Sequence, residues 1–137
     1  MARRIKAHIT IAYEVPDDGC IEVVRDQIAG NSPITVRLTS VGCWDSPEGG
    51  IYLGVADCEG GIARIREALH PADDAGAYVP HLTLVHPRSV SPSRAREAWC
   101  QLADLRIDAD VLIDRLVVIE SHDSQWQAVT TIRLHGR

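Results

Sequence analysis

The chain has 137 residues, 45% hydrophobic and 24% charged, which fits one domain with a core able to fold unaided and excludes a largely disordered chain. Its net charge of −5 has the wrong sign for a general nucleic-acid coat, but is compatible with one or two phosphates held in a local cationic pocket. Of its 14 basic residues all but Lys6 are arginine; arginine suits phosphate clamping, although genome base bias is the better explanation of the excess.

Residues 5–13 read as a β-branched strand, followed by a turn and helix cap at Pro16, Asp17 and Asp18. Ile21, Val24 and Ile28 space an amphipathic helix that stops at Gly30 and Asn31. Residues 34–44 alternate as a second strand, 46–50 form a hairpin loop, and 51–56 form a third strand. A helix over 61–70 presents Ile62, Ile65 and Leu69 on one face, and 71–76 is a loop. The order then repeats. A strand covers 78–86, and a helix starts at Ser91 with Pro92 in its first turn and runs to about Ala103. A long strand region over 106–120 is bent near Asp114, and a last strand covers 126–134.

The basic N-terminus is not followed by an apolar leader core, because His8, Thr10 and Glu14 break the run. No stretch reaches the roughly 20 apolar residues of a membrane span. The expectation is a soluble, cytoplasmic protein, with a monomer favoured. Cys20, Cys43, Cys58 and Cys100 form no CxxC pair, so a zinc ribbon has no support, and their apolar neighbours suit buried free thiols.

Measured from His8 and His81, the next helix, the next strand and the final strand begin at similar offsets. This predicts an internal duplication of a strand–helix–strand–strand unit, with pseudo-repeats at about 1–70 and 71–137 of a single domain. The two leading strands carry His8-Ile9-Thr10-Ile11 and His81-Leu82-Thr83-Leu84. Strand side chains alternate, so in each copy the imidazole and the hydroxyl share one face while the apolar residues point into the core. A single His-x-Thr means little, and His122-Asp123-Ser124 in a predicted turn is such a case. Two copies at equivalent places in a duplicated unit mean much more.

On these residues, and on the tail from Leu116 through Trp126 to Leu134, the chain resembles the 2H phosphoesterase superfamily, closest to its 2′–5′ RNA ligase-like, cyclic phosphodiesterase branch. The resemblance implies an α+β, bilobed fold of two antiparallel sheets flanking a central cleft. It implies His8 and His81 as a catalytic acid–base pair and Thr10 and Thr83 as phosphate ligands. The expected activity is a metal-independent phosphodiesterase acting on a 2′,3′-cyclic phosphate or a related small nucleotide or RNA end, with no cofactor. The alternatives are 2′–5′ RNA ligation and a non-catalytic nucleotide-binding module. The chain departs from the family where many relatives carry Arg five residues after the second histidine: here that residue is His86, and Arg88 is the nearby substitute. Many relatives also have an extra strand and helix before the first motif.

Imidazole fits the reaction because it exchanges protons near neutrality. One ring must take a proton from water and the other give one to the leaving ribose oxygen, while the threonine hydroxyls donate to the non-bridging oxygens. A zinc site would want a third ligand, and no spacing supplies one. Lys6 shares strand parity with His8, although a solvated lysine is the blander reading. His86 and Arg88 border the expected cleft in a surface turn. Tyr13, Tyr52 and Trp126 could stack on a base, with core packing the commoner fate, and Trp44 beside the hairpin loop could line the cleft. His70, His122 and His135 read as surface residues.

Overall fold

The alternating apolar residues Ile34, Val36 and Leu38 build the central strand of the main sheet. The computed structural model describes residues 7–12, 21–69, 78–123 and 125–136. Its elements are α1 (Ile21–Ala29), β1 (Ile34–Cys43), a single 3-10 turn at Pro47–Gly49, β2 (Ile51–Ala56), α2 (Gly61–Leu69), β3 (His81–Val85), α3 (Pro92–Leu102), β4 (Arg106–Ile113), β5 (Arg115–His122) and β6 (Gln125–Arg133). The fold is α+β; among the described residues it has two antiparallel sheets, one four-stranded in the order β3-β2-β1-β4 and one a β5-β6 hairpin.

The core falls into two clusters. Ile28, Ile34, Val36, Val55, Ile62, Ile65, Leu69, Ile132 and Leu134 form the larger, with Ile9 and Ile11 packed against it. Val41, Ile51 and Leu53 form the smaller, backed by Leu82, Val85 and Trp99. The second cluster places Leu82 inward and the first places Ile9 inward, which fixes the opposite parity for the histidines and threonines around them.

Local chemistry sets the helix starts. Asp57 accepts from the Ile62 and Ala63 amides at 3.1 and 3.0 Å, satisfying orphan donors at the start of α2. Ser91 caps α3, its hydroxyl accepting from the Arg94 amide at 3.3 Å, with Pro92 in the first turn as the sequence predicts. At the β1–β2 hairpin Gly50 adopts φ +114°, open to glycine at little cost, and its carbonyl accepts from the Trp44 amide at 3.1 Å. Arg96 of α3 pairs with Glu48 and ties the same turn to the helix.

Three expectations are corrected. The first strand, expected over 5–13, is within 7–12 an isolated bridge at Ile9, because the Thr10 and Ile11 carbonyls are taken by side chains instead of a ladder partner. The strand expected over 78–86 starts only at His81, since Pro80 has no amide to donate. Cys58 and Cys100 are exposed free thiols, not buried ones, while Cys43 is half-buried: Cys58 falls in the turn before α2 and Cys100 on the outer face of α3. The region 106–120 does break at Asp114, into β4 and β5. Lys6, Tyr13, His70, the turn at 16–18 and the loop at 71–76 lie outside the described residues, as does Cys20. Among the described residues no helix is long and apolar enough to cross a membrane.

Candidate active site

The two motif segments meet through an antiparallel bridge between Ile9 and Leu82. Continuing that register by one residue on each side sets His8 opposite Thr83 and Thr10 opposite His81. Residues opposed across an antiparallel pair share a face and lie about 5 Å apart at Cα. The bridge thus brings the two motif segments side by side in opposite directions. His8 and Thr83 are exposed and Thr10 and His81 half-buried.

The His81 ring is fixed on several sides. Its Nδ1–H donates to the Val79 carbonyl at 2.8 Å, and since a carbonyl only accepts, this bond assigns the proton to Nδ1 and leaves Nε2 as the nitrogen able to exchange one. Trp44 meets it edge-on, with ring centroids 5.0 Å apart and planes at 83°, and Tyr52 lies 5.8 Å away. Trp44 and Tyr52 pack on each other at 4.4 Å. Opposite His81 in the β2 register stands Gly54, so on that strand the ring meets Tyr52 and not its direct cross-strand neighbour. Gly42 makes room for Tyr52: a Cβ there would lie 2.7 Å from the Tyr52 hydroxyl oxygen.

An open groove of about 260 Å³ adjoins this face, lined by Thr39, Ser40, Gly42, Tyr52, Gly54 and Ala56 on the sheet and by Val79 and Pro80 on the approach to His81. Its lining has hydroxyls and no charged group. Sequence reasoning missed Thr39, Ser40, Gly42 and Gly54, since small residues in a strand carry no chemical signature of their own.

The remaining expectations divide. Trp44 joins the His81 cluster. His86 and Arg88 lie in the exposed turn after β3, where His86 Nδ1 accepts from the Arg88 amide at 3.1 Å. The turn runs past Trp44, for a Cβ on Gly50 would lie 3.2 Å from Pro87 and 3.3 Å from Trp44. Trp126 lies in the other sheet, opposite Ser121 and 46% exposed, so it neither fills a core nor joins the cluster; it sits at the exposed end of a two-stranded hairpin. Among the described residues no three of His, Cys, Asp and Glu converge as a metal-binding group.

Residues 1–125 match the family model for the 2′-5′ RNA ligase superfamily. The chain belongs to that superfamily, the 2H phosphoesterases. Solved proteins of similar fold include TT0787 of Thermus thermophilus, at 16% identity with a TM-score of 0.61, covering 96% of this chain and 79% of that one. E. coli LigT complexed with ATP aligns at 14% identity and a TM-score of 0.57, covering 97% of this chain and 80% of that one. LigT complexed with NADP+ aligns at 14% and 0.53, covering 94% and 76%. At such identities the likeness carries the 2H fold. No curated protein sequence matches this superfamily member significantly.

Proposed function

We propose that this 2H phosphoesterase hydrolyses a small nucleotide phosphodiester, a 2′,3′-cyclic phosphate or a related linkage, by acid–base catalysis between His8 and His81. The observation that supports the reading is the Ile9–Leu82 bridge, which brings the two His-x-Thr segments side by side. One neutral imidazole takes a proton from water as its oxygen bonds to phosphorus. The bond from phosphorus to one ribose oxygen breaks, and the other, protonated imidazole supplies that oxygen's proton. Nε2 is the nitrogen of His81 that takes part, because Nδ1–H is committed to Val79. Thr10 and Thr83 donate to the non-bridging oxygens, where charge grows in the transition state.

The chemistry asks nothing of a metal. The uncharged, hydroxyl-bearing groove beside His81 suits a ribose or base better than a second phosphate, and the exposed face of Trp44 suits a base. Together with the net charge of −5, these features favour a short nucleotide over long RNA. LigT was crystallised with ATP and with NADP+, in keeping with a nucleotide-sized ligand. The same reading takes 1–137 as one domain of two pseudo-repeats. It is supported by the element order, a helix then a strand following each motif: α1 and β1 after His8, α3 and β4 after His81.

The test is a turnover screen of 2′,3′-cyclic mononucleotides, 2′–5′ dinucleotides and cyclic dinucleotides followed by phosphorus NMR. Conversion of at least one to a phosphomonoester, slowed at least about a hundredfold by His8→Ala, is the expected result. Nucleotide binding without turnover across the panel would replace this proposal by a binding module, and joining of cleaved RNA ends without hydrolysis would replace it by a ligase.

A further inference from the structure

Across residues 7–12 the pairing with β3 is a single bridge. The next two carbonyls are taken by side chains from distant parts of the chain. The Tyr78 hydroxyl donates to the Thr10 carbonyl at 2.8 Å, and Arg66 Nη1 donates to the Ile11 carbonyl at 2.6 Å. The two donors are themselves stacked, with Arg66 Cζ 3.8 Å from the centre of the Tyr78 ring.

Arg66 is only 6% exposed, on a helix whose other buried side chains are Ile62, Ile65 and Leu69. A guanidinium in such surroundings destabilises the fold unless its donors and its charge are used. Here its π face lies on an aromatic ring and its edge meets a carbonyl, two contacts that a planar cation makes at once and an ammonium cannot. Gly61 lets α2 come this close: a Cβ there would lie 2.5 Å from an Ile34 methyl.

We propose that Arg66 and Tyr78 act as a brace that aims the first motif at the second. Fixing the Thr10 and Ile11 carbonyls fixes the local backbone from which His8 and Thr10 project. Tyr78 lies three residues before His81, so both motifs are referred to one ring. Proton transfer and phosphate clamping require such aim to within about half an ångström. Neither side chain is assigned a contact with substrate, so both are positioning residues. The inference rests on the reading of His8 and Thr10 as groups that act on the phosphate.

Tyr78→Phe is the discriminating variant, because it keeps the ring beneath the guanidinium and deletes one hydroxyl. The kcat for a 2′,3′-cyclic mononucleotide is expected to fall about tenfold, with KM within about twofold of the parent. In histidine-resolved NMR the His8 ring signals are expected to move, with those of His81 in place. Arg66→Met is expected to act in the same sense and more strongly; should it unfold, Tyr78→Phe decides alone. Unchanged kcat with unmoved His8 signals overturns the brace, and so does an equal disturbance of both histidines, which marks general loosening. If the parent protein turns over no phosphodiester, the proposed activity fails, and the His8 and His81 signals still decide the brace.

Discussion

Ile9 and Leu82 face each other across an antiparallel bridge, and each is flanked by a histidine on its N-terminal side and a threonine on its C-terminal side. Antiparallel pairing reverses one copy against the other, so the bridge crosses the motifs and puts unlike groups opposite. A phosphate over Ile9 and Leu82 would find an imidazole at two opposite corners and a hydroxyl at the other two. In-line displacement puts the attacking and leaving oxygens on opposite sides of phosphorus, so the proposed acid and base would have to act from opposite sides.

Replacing either histidine by alanine should lower kcat by about 10²–10⁴-fold, the usual worth of a general acid or base. The double variant should lose little more than the poorer single one, because groups acting in one step are not additive. Thr10→Ala and Thr83→Ala should each cost about 10–100-fold, below the roughly 10²–10³ of a full oxyanion donor. Steady-state kinetics with far-ultraviolet circular dichroism separates these losses from unfolding.

Turnover should follow a bell-shaped pH profile, since one imidazole has to start neutral and its partner protonated. The ascending limb reports the base and the descending limb the acid. His8→Ala and His81→Ala should each remove one limb from the residual activity. Dialysis against EDTA should leave kcat unchanged; its loss, with recovery on adding back a divalent cation, would contradict a two-imidazole mechanism.

Gly42→Ala should disturb the site from two strands away. The new methyl would lie 2.7 Å from the Tyr52 hydroxyl oxygen and 2.8 Å from Cζ, so the ring must swing, and Trp44 and His81 pack on that ring. A stability loss of about 1–3 kcal/mol is expected from the overpacking, read as Tm, with a fall in kcat/KM at temperatures where the protein stays folded. Trp44→Ala should instead raise KM for a nucleotide, by about 1–3 kcal/mol if the base stacks there.

The Arg96 guanidinium, hydrogen-bonded to Glu48, holds that carboxyl below its ordinary pKa. A carboxyl whose folded value is depressed stabilises the fold above its unfolded pKa, and the contribution disappears as pH falls through the folded one. Stability should therefore decline on the acid side of the usual carboxylate range, and Glu48→Gln should flatten that part of a Tm-against-pH curve. The pair is solvent-exposed, so added salt should weaken the effect.

The pairing of Ile9 with Leu82 is not legible in the sequence, because it joins distant parts of the chain; their inward orientation is, because period-two alternation is a local property. The helix start at Ser91-Pro92 is legible for the same reason, as caps lie within a few residues of what they cap. The brace is not. Arg66 reaches a carbonyl 55 residues away and Tyr78 one 68 residues away, and in sequence each is an ordinary arginine on a helix and a tyrosine before a strand. Trp44 can be named as lining the site but not placed, because its seat depends on Gly50, Tyr52 and Pro87 meeting in three dimensions. The shortened first strand escapes sequence reading since β-branched composition shows what a segment can pair as, not which carbonyls are claimed by others.

The four-stranded sheet draws β1 and β2 from before residue 57 and β3 and β4 from after residue 80. A nascent chain leaving the ribosome can form the β1–β2 hairpin early, but both outer edges of that hairpin stay unpaired until Val85 and then Ile113 have emerged. Synthesis therefore holds an apolar ribbon open for the time needed to make more than 50 further residues, at roughly 5–20 residues per second. Over that interval, chaperone engagement or pairing with a neighbouring chain competes with completion of the sheet.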